Sequence, residues 1–508
     1  MEKYRRPTRS PPLSLYPRRH APAPGPRASR IPRNHRPHSP AIGASQPNPP
    51  MHALTTRRQA LRSLALLGVG ALARPSSRAE PTRTKPTAKN KPEPMRLAFI
   101  GVGGQGAANL RGLTGHQFVA FADVDDTMAA PVYRDYPDVP RFRDFRHLLD
   151  AHAGGLDGVV VSTPDHSHHP IARAIMQAGL NVYVEKPLAT TIWECRDLAA
   201  TARSHGVRTQ LGVQGHHNGA LRVLREWLDA GAIGPVRAVH LWTDRMQPVR
   251  YTASDALAPS ETPPTTLDWD LWLADRPARP YSPLYVPNRW RNWWDFGTGP
   301  LGDIGAHMFD VVEFALEVGF PDLVEAETPW RNAFTAPPWS RVRWDFPARG
   351  TRPPLVIHWC NGTREGTFMR PDSVPHLPAE YIASATNGMA FVGDDGTAFI
   401  PDMRASSVPR IFPPEREADV LAQRPAPTLP RPKGTHFDDW FAAIRKGGVA
   451  GANFDYGAPL TEVVLLGQLA QRTGRPIRWD RAAMRAINNP EADALIRPAL
   501  REGVTLAS

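Results

Sequence analysis

The stretch MRLAFIGVGGQGAANLRGL, residues 95–113, limits the fold more than any other part of the chain. A short apolar run of strand type ends in Gly101-Val102-Gly103-Gly104-Gln105-Gly106, a complete G-x-G-x-x-G, and a helix-like segment follows at once. Each glycine has its own reason: a tight turn at Gly101, close approach of backbone to a pyrophosphate at Gly103, close packing of helix on strand at Gly106. Unpaired N–H groups and the helix dipole favour phosphate at the helix start, beside Gly104 and Gln105. The next apolar run, QFVAFADVDD, places Asp123 20 residues after Gly103, the spacing of the carboxylate that binds the adenosine ribose. Asp123 would repel a 2′-phosphate and no arginine follows it directly, so the expected cofactor is NAD rather than NADP.

Strand and helix signals keep alternating. LDGVVVSTP (156–164), NVYVEKP (181–187) and VRTQLGVQ (207–214) read as strands, HPIARAIMQAG as a helix, and Thr191 with Glu194 as the capping box of another. The fold class is therefore α/β, with a doubly wound parallel Rossmann sheet over residues 95–215. Ligands of such sheets bind beyond the carboxyl ends of the strands. Two polar strand ends, Thr163-Pro164-Asp165-His166-Ser167-His168 and Glu185-Lys186-Pro187, should thus face the cofactor crevice. Thr163, Pro164, His166, His168, Glu185, Lys186 and Pro187 are the expected lining.

Further on, WRNWWDFGTGPLGDIGAHMFDVVEFALE (290–317) passes from aromatics through a glycine-rich turn into a helix expected to start near Asp303. Asp303 and His307 are four apart and share a face, while Ile304, Met308, Val311 and Ala315 form a separate core stripe. Such a pair can position a hydroxyl and pass a proton. It can equally be a helix cap and a satisfied core histidine. Asp310 lies on a similar face. Two ligand types with no third nearby do not make a metal site, and no metal is expected.

G-x-G-x-x-G, then TPDHSHH, then EKP, at these intervals, resembles the Gfo/Idh/MocA family of glucose–fructose oxidoreductase and inositol dehydrogenase. The likeness covers about residues 95–480 and includes LREWLDAGAIGPV (224–236), WTDR (242–245) and LTEVVLLGQLAQRTGRPIRWD (460–480). It implies that Lys186 is catalytic, that Asp303 and His307 are its partners, and that the substrate is a sugar, glycoside or cyclitol. A lysine in a desolvated cleft can shuttle the hydroxyl proton. The family also implies that residues 216–480 form an α/β domain with a largely antiparallel open sheet, through which a homo-oligomer could form. VRAVHLWTD (236–244) and PLVIHWC (354–360) supply strand-type runs for that sheet, and residues 481–508 read as a tail. Trp242, Arg245, Trp290, Arg291, Trp293 and Trp294 are candidate substrate contacts, though each tryptophan could equally be core. Two other activities stay open: NAD-dependent glycoside cleavage by transient oxidation at C3 and elimination, and non-enzymatic NAD sensing.

The first 94 residues stand apart. Residues 1–50 hold ten Lys/Arg against Glu2 and residues 51–94 nine against two acids, so +16 of the chain's net +12 sits there and the rest carries −4. A nucleic-acid role for the folded part is therefore excluded. Residues 1–50, rich in Pro and Arg, cannot bury a core and are expected to be disordered; they fall outside translation if Met51 is the start. From Met51, Arg57-Arg58 precede a ten-residue apolar run, Leu64–Ala73, and an A-x-A site, Ala71-Leu72-Ala73, with Ser77-Arg78-Ala79 as a second. The run is far below the roughly 20 residues of a membrane span. The segment 51–79 resembles a Tat signal, 80–94 a linker. Export to the periplasm through the Tat translocon, without a stable membrane anchor, is the expectation. Cys195 and Cys360 form no CxxC and read as free buried thiols.

Overall fold

The computed structural model describes residues 93–245, 252–423 and 426–503, all within the unit Lys89–Ser508. The expectations for the basic extension and the signal segment lie outside the described residues.

Six strands, β1 (Arg96–Ile100), β2 (Gln117–Ala122), β3 (Arg141–Phe142), β4 (Gly158–Val161), β5 (Val182–Glu185) and β6 (Thr209–Gly212), form a sheet of order β3-β2-β1-β4-β5-β6. Every pairing is parallel. Parallel strands are covered on both faces, which is why GVVV of β4 and VYVE of β5 are buried throughout. Helices α1 (Gln105–Gly112), α2 (Asp126–Asp135), α3 (Phe145–His152), α4 (His168–Gln177) and α5 (Ile192–His205) make the crossovers. α5 starts as its sequence requires: Thr191 Oγ1 accepts from the Glu194 N–H at 3.3 Å, and the Glu194 carboxylate accepts from the Thr191 N–H at 3.0 Å. Strand order reverses between β1 and β4, so a crevice opens where the glycine turn and the Thr-Pro segment emerge side by side.

The second sheet contains β7 (Val236–Thr243), β8 (Leu323–Glu327), β9 (Trp339–Phe346), β10 (Leu355–Arg364), β11 (Thr367–Phe368), β12 (Asn387–Gly393), β13 (Thr397–Ile400), β14 (Arg410–Phe412), β15 (Ile477–Asp480) and β16 (Arg485–Ala486). Its order is β14-β13-β12-β7-β10-β9-β8-β15-β16, with β11 on β10. β7 pairs β10 in parallel and the other pairings are antiparallel. The largely antiparallel sheet expected for this half is therefore present. Helices α6 (Gly219–Asp229), α7 (Trp269–Leu273), α8 (Ala306–Leu316), α9 (Ala379–Ser384) and α10 (Pro414–Gln423) accompany it.

The chain then returns. α11 (His436–Lys446) buries Phe437, Trp440 and Phe441 among Leu97, Phe99, Phe121 and Tyr183 of the first sheet. α12 (Phe454–Thr473) packs on α5, where Glu462 accepts from Arg196 Nε at 2.7 Å and Nη2 at 2.6 Å. Part of the stretch read as second domain thus completes the first. Periodicity marks an amphipathic face without saying which surface covers it. The expected tail from 481 is also folded to residue 503: it supplies β16 and α13 (Pro490–Ala494), Ile496 accepts from the Trp193 N–H at 3.1 Å, and the Arg501 N–H donates to Asp275 O at 2.8 Å. No helix of the described residues is long and apolar enough to cross a membrane.

Candidate active site

A cleft of about 750 Å³ runs from the glycine turn to the start of α8. Gly101, Gly103, Gly104 and Gln105 line its near end. Gly104 has φ +49° and no atom within 4 Å of where a Cβ would stand, so the turn presents open backbone to the cleft. Gly106 does not line it. A Cβ there would run into the Gly101 carbonyl oxygen, so this glycine serves the packing of α1 on β1. Asp123, at the end of β2, accepts from the N–H groups of Val102 at 2.8 Å, Gly103 at 3.2 Å and Asp125 at 3.0 Å. Burial pushes its carboxyl up and these three donors oppose the shift. Arg143, ion-paired with Asp126, and Arg146 complete this end.

Lys186 and Asp303 meet at the far end, although 117 positions separate them. The lysine ammonium donates to the Asp303 carbonyl oxygen at 2.7 Å and to its carboxylate Oδ1. Arg291 Nε lies 3.4 Å from the other carboxylate oxygen. The expected helix start near Asp303 is a π-turn, Leu301–Gly305, feeding α8 from Ala306. The wider turn lets one residue offer both its carbonyl and its carboxylate to Lys186, a distortion frequent at functional sites. Asp303 holds the lysine, whereas His307 bonds elsewhere. His307 is buried and lines the cleft. Its Nε2 accepts from Arg404 Nη2 at 3.3 Å, and its Nδ1 is buried with no partner. Burial first, then Lys186 and Arg404, holds its pKa well below the ordinary range, so the ring is neutral.

The sequence reading missed Asp165. It sits inside the Thr-Pro segment, is 5% exposed, lines the cleft, and accepts from Thr298 Oγ1 at 2.9 Å. Burial pushes its carboxyl up to about 7, against the attraction of Lys186 and with the repulsion of Asp303. The segment was singled out for its histidines; a carboxylate between Pro164 and His166 was the available signal. Glu185, also lining the cleft, accepts from Asn109 Nδ2 at 3.0 Å and Tyr183 Oη at 3.2 Å, and burial raises its pKa. Arg404, in the loop after β13, was missed as well and has no local signal in the sequence.

Several expected residues lie elsewhere. Thr163 and Pro164 line the cleft, but His166, His168 and Pro187 do not. His166 Nε2 bonds the Trp272 carbonyl at 2.7 Å and its ring packs on Trp272 and Phe296. His168 sits between the carbonyls of Thr163 (Nε2, 3.0 Å) and Pro187 (Nδ1, 2.9 Å), on the loops that carry Asp165 and Lys186, and the single N–H of the neutral ring donates to one of them. Burial lowers His166 to about 3 and His168 to about 4, so both are neutral supports. Trp242 is fully buried with Nε1 donating to Ala385 O at 3.2 Å, and Trp293 is core with Nε1 donating to Leu284 O at 3.1 Å. Neither they nor Trp294 line the cleft; Trp290, Arg245 and Arg291 do. Indole is apolar enough to fill a core and polar enough to bind sugar, and sequence cannot separate the two uses. Asp310 is buried away from the cleft, bonded to His216 at 2.7 Å and Tyr456 at 2.8 Å. His169, Glu194 and Asp275 bring three ligand-type atoms together, but Arg276 donates to Glu194 at 2.6 Å and supplies the positive charge there.

A parallel sheet with its glycine turn, strand-end carboxylate and open backbone cradle defines a dinucleotide-binding protein, here joined to an open-sheet domain that brings the lysine its partner. Residues 95–213 match the NAD-binding Rossmann-fold model of the Gfo/Idh/MocA oxidoreductases, and residues 235–355 match that family's C-terminal alpha/beta domain. The chain belongs to this family. Inositol 2-dehydrogenase 1 of Saccharopolyspora erythraea is 34% identical over 167 residues, 30% of this chain and 49% of that protein. Inositol 2-dehydrogenase 3 of the same organism is 30% identical over 190 residues, 36% and 54% of the two chains. The chain thus spans about half the length of the curated relatives it matches. Among solved structures, the WlbA dehydrogenase from Bordetella pertussis, in complex with NADH and UDP-GlcNAcA, gives a TM-score of 0.54 at 16% identity, covering 76% of this chain and 98% of that one. The aldose-aldose oxidoreductase from Caulobacter crescentus, complexed with glycerol, gives 0.51 at 18%, covering 76% and 100%. At these identities the likeness is one of fold.

Proposed function

We propose that the protein is an NAD-dependent oxidoreductase acting on a secondary hydroxyl of a sugar, glycoside or cyclitol. The observation that carries this is the meeting of Lys186 and Asp303 in the cleft that begins at the glycine turn. The dinucleotide fits: Gly103–Gln105 would hold the pyrophosphate, Asp123 the ribose, and Thr163, Pro164 and Glu185 would flank the nicotinamide. When bound, NAD supplies the hydride acceptor. Asp123 disfavours a 2′-phosphate by charge, and Arg143, which could have offset it, is already paired with Asp126.

The chain's own part is positioning and proton handling. Asp303 fixes the Lys186 ammonium by two acceptors at the cleft wall. Lys186, once its ammonium has passed one proton to a neighbouring carboxylate, takes the proton of the substrate hydroxyl on the freed amine as the hydride leaves the carbinol carbon. Asp165, whose carboxyl is held near neutrality by burial, can keep a proton close to Lys186 during that exchange. Neutral His307 adds a polar wall without a competing charge. Trp272 and Trp290 line the cleft and exclude water from it. The inositol 2-dehydrogenases among the relatives support a polyol substrate.

The test is NADH formation by the purified protein with NAD across sugars, glycosides and inositols. Steady NADH production from a polyol is the expected result. Glycoside cleavage with no net change in the cofactor would replace this reading with redox-assisted elimination, and no reaction with any of them would remove it. Export through the Tat route and assembly of copies through the open sheet belong to the same proposal. The first is supported by Arg57-Arg58 ahead of Leu64–Ala73.

A further inference from the structure

We propose that the substrate is an acidic sugar whose carboxylate or phosphate is held by Arg245 and Arg404. This deepens the reading above and rests on it for the sugar. Arg245 follows β7, with its N–H donating to Thr243 Oγ1 at 3.1 Å. Arg404 is fixed through its backbone: its N–H donates to Asp402 Oδ1 at 2.7 Å, and its carbonyl accepts from Asn218 Nδ2 at 2.8 Å. The next residue, Ala405, is fully buried at φ +48°. That left-handed conformation is unfavourable to a residue with a Cβ and persists only where the surroundings impose it. The loop is thus built to hold Arg404 in one place.

Both side chains are half-buried in the cleft wall. Neither forms an ion pair among the described residues, in contrast to Arg291 on Asp303 and Arg143 on Asp126. Among the described residues, the one side-chain partner of Arg245 is Met403 Sδ at 3.9 Å. Arg404 donates to His307 Nε2 at 3.3 Å, while its own Nε is buried with no partner. Burial and the charge of Arg245 hold the Arg404 guanidinium below its ordinary pKa. Glu185, Asp303 and Asp402 attract Arg404 without forming an ion pair with it, and Arg245 repels it; a half-buried guanidinium whose charge is matched only at a distance is costly. An anion between them resolves both problems, and the guanidinium fork matches the paired oxygens of carboxylate or phosphate. The dinucleotide pyrophosphate is not that anion. Its place is at Gly103–Gln105, whereas Arg404 touches His307 at the opposite end of the cleft.

The experiment is calorimetric titration of the NADH-loaded full chain with D-glucuronate, glucose 6-phosphate and D-glucose, repeated with Arg245→Gln, Arg404→Gln and the double variant. Thermal unfolding of each variant reports its folding. At least one acid should bind about tenfold or more tighter than glucose, and each substitution should weaken that acid by about 10–100-fold, the range of a lost charge-assisted hydrogen bond, with little effect on glucose. Preference for glucuronate alone identifies a carboxylate, for the phosphate alone a phosphate. Equal binding of glucose, no binding of either acid, or a preference that survives the double variant overturns the proposal. Turnover is not the readout, so the two readings fail separately. An acid bound with this preference but never oxidised removes the oxidoreductase and leaves the anion site, while rapid oxidation of neutral sugars with no preference for acids does the reverse.

Discussion

Replacing Asp165 with asparagine should change how the stability of the protein depends on pH. The carboxyl is 5% exposed, and burial raises it from an ordinary 3.8 to about 7. The folded protein therefore holds this proton more tightly than the unfolded chain does. Its contribution is fully present below the ordinary value and declines as pH rises, until the folded group has ionised near 7. Asparagine keeps the shape and an oxygen for Thr298 but cannot ionise. Between about pH 5.5 and pH 8.5, roughly 1.5 pH units fall inside this window, so at about 1.36 kcal/mol per unit the wild type should lose about 2 kcal/mol relative to Asp165→Asn. Near-complete burial means solvent screening takes little from this figure. Urea unfolding of both proteins at the two pH values measures it, and pH-independent effects of the substitution cancel in the double difference. Parallel curves would show that Asp165 is ionised in the folded protein throughout, and would remove it as a proton holder near Lys186.

Lys186→Ala should lower turnover by roughly 10²–10⁴-fold while NADH still binds, since the glycine turn is untouched; near-normal turnover in a folded variant would make Lys186 structural. Gly106→Ala should abolish dinucleotide binding and lower the unfolding temperature, because its methyl meets the Gly101 carbonyl. Gly104→Ala has open space around it but φ +49° and ψ −110°, so it should cost about 1–3 kcal/mol in backbone strain without a steric clash; a larger loss of stability at Gly104 than at Gly106 would refute the packing argument. Titration with both dinucleotides should show NAD binding tighter than NADP, and the reverse order would detach Asp123 from the ribose. Lys at both Arg57 and Arg58 should keep the protein in the cytoplasm, and continued Tat-dependent export of that variant would end the signal reading.

Local sequence alone determined the first sheet. Its glycines, apolar strands and the Thr191–Glu194 cap act through neighbours within a few residues, so G-x-G-x-x-G, Asp123 and the polar strand ends could be placed before any coordinates. The pair Asp303/His307 was legible as two side chains on one helical face, yet their roles were not. Whether Asp303 holds the histidine or the lysine depends on a π-turn and on a partner 117 positions away. Only tertiary structure separated Trp290, on the cleft wall, from Trp242 and Trp293 in the core, because burial is a property of what packs opposite. Only tertiary structure turned His166 and His168 from cofactor contacts into neutral supports, moved α11 onto the first sheet, and brought Arg501 to the cleft. The same holds for Asp165 and Arg404. A carboxyl becomes a proton holder, and an arginine an anion receptor, through desolvation and unmatched charge. Both are set by residues that no stretch of sequence contains together.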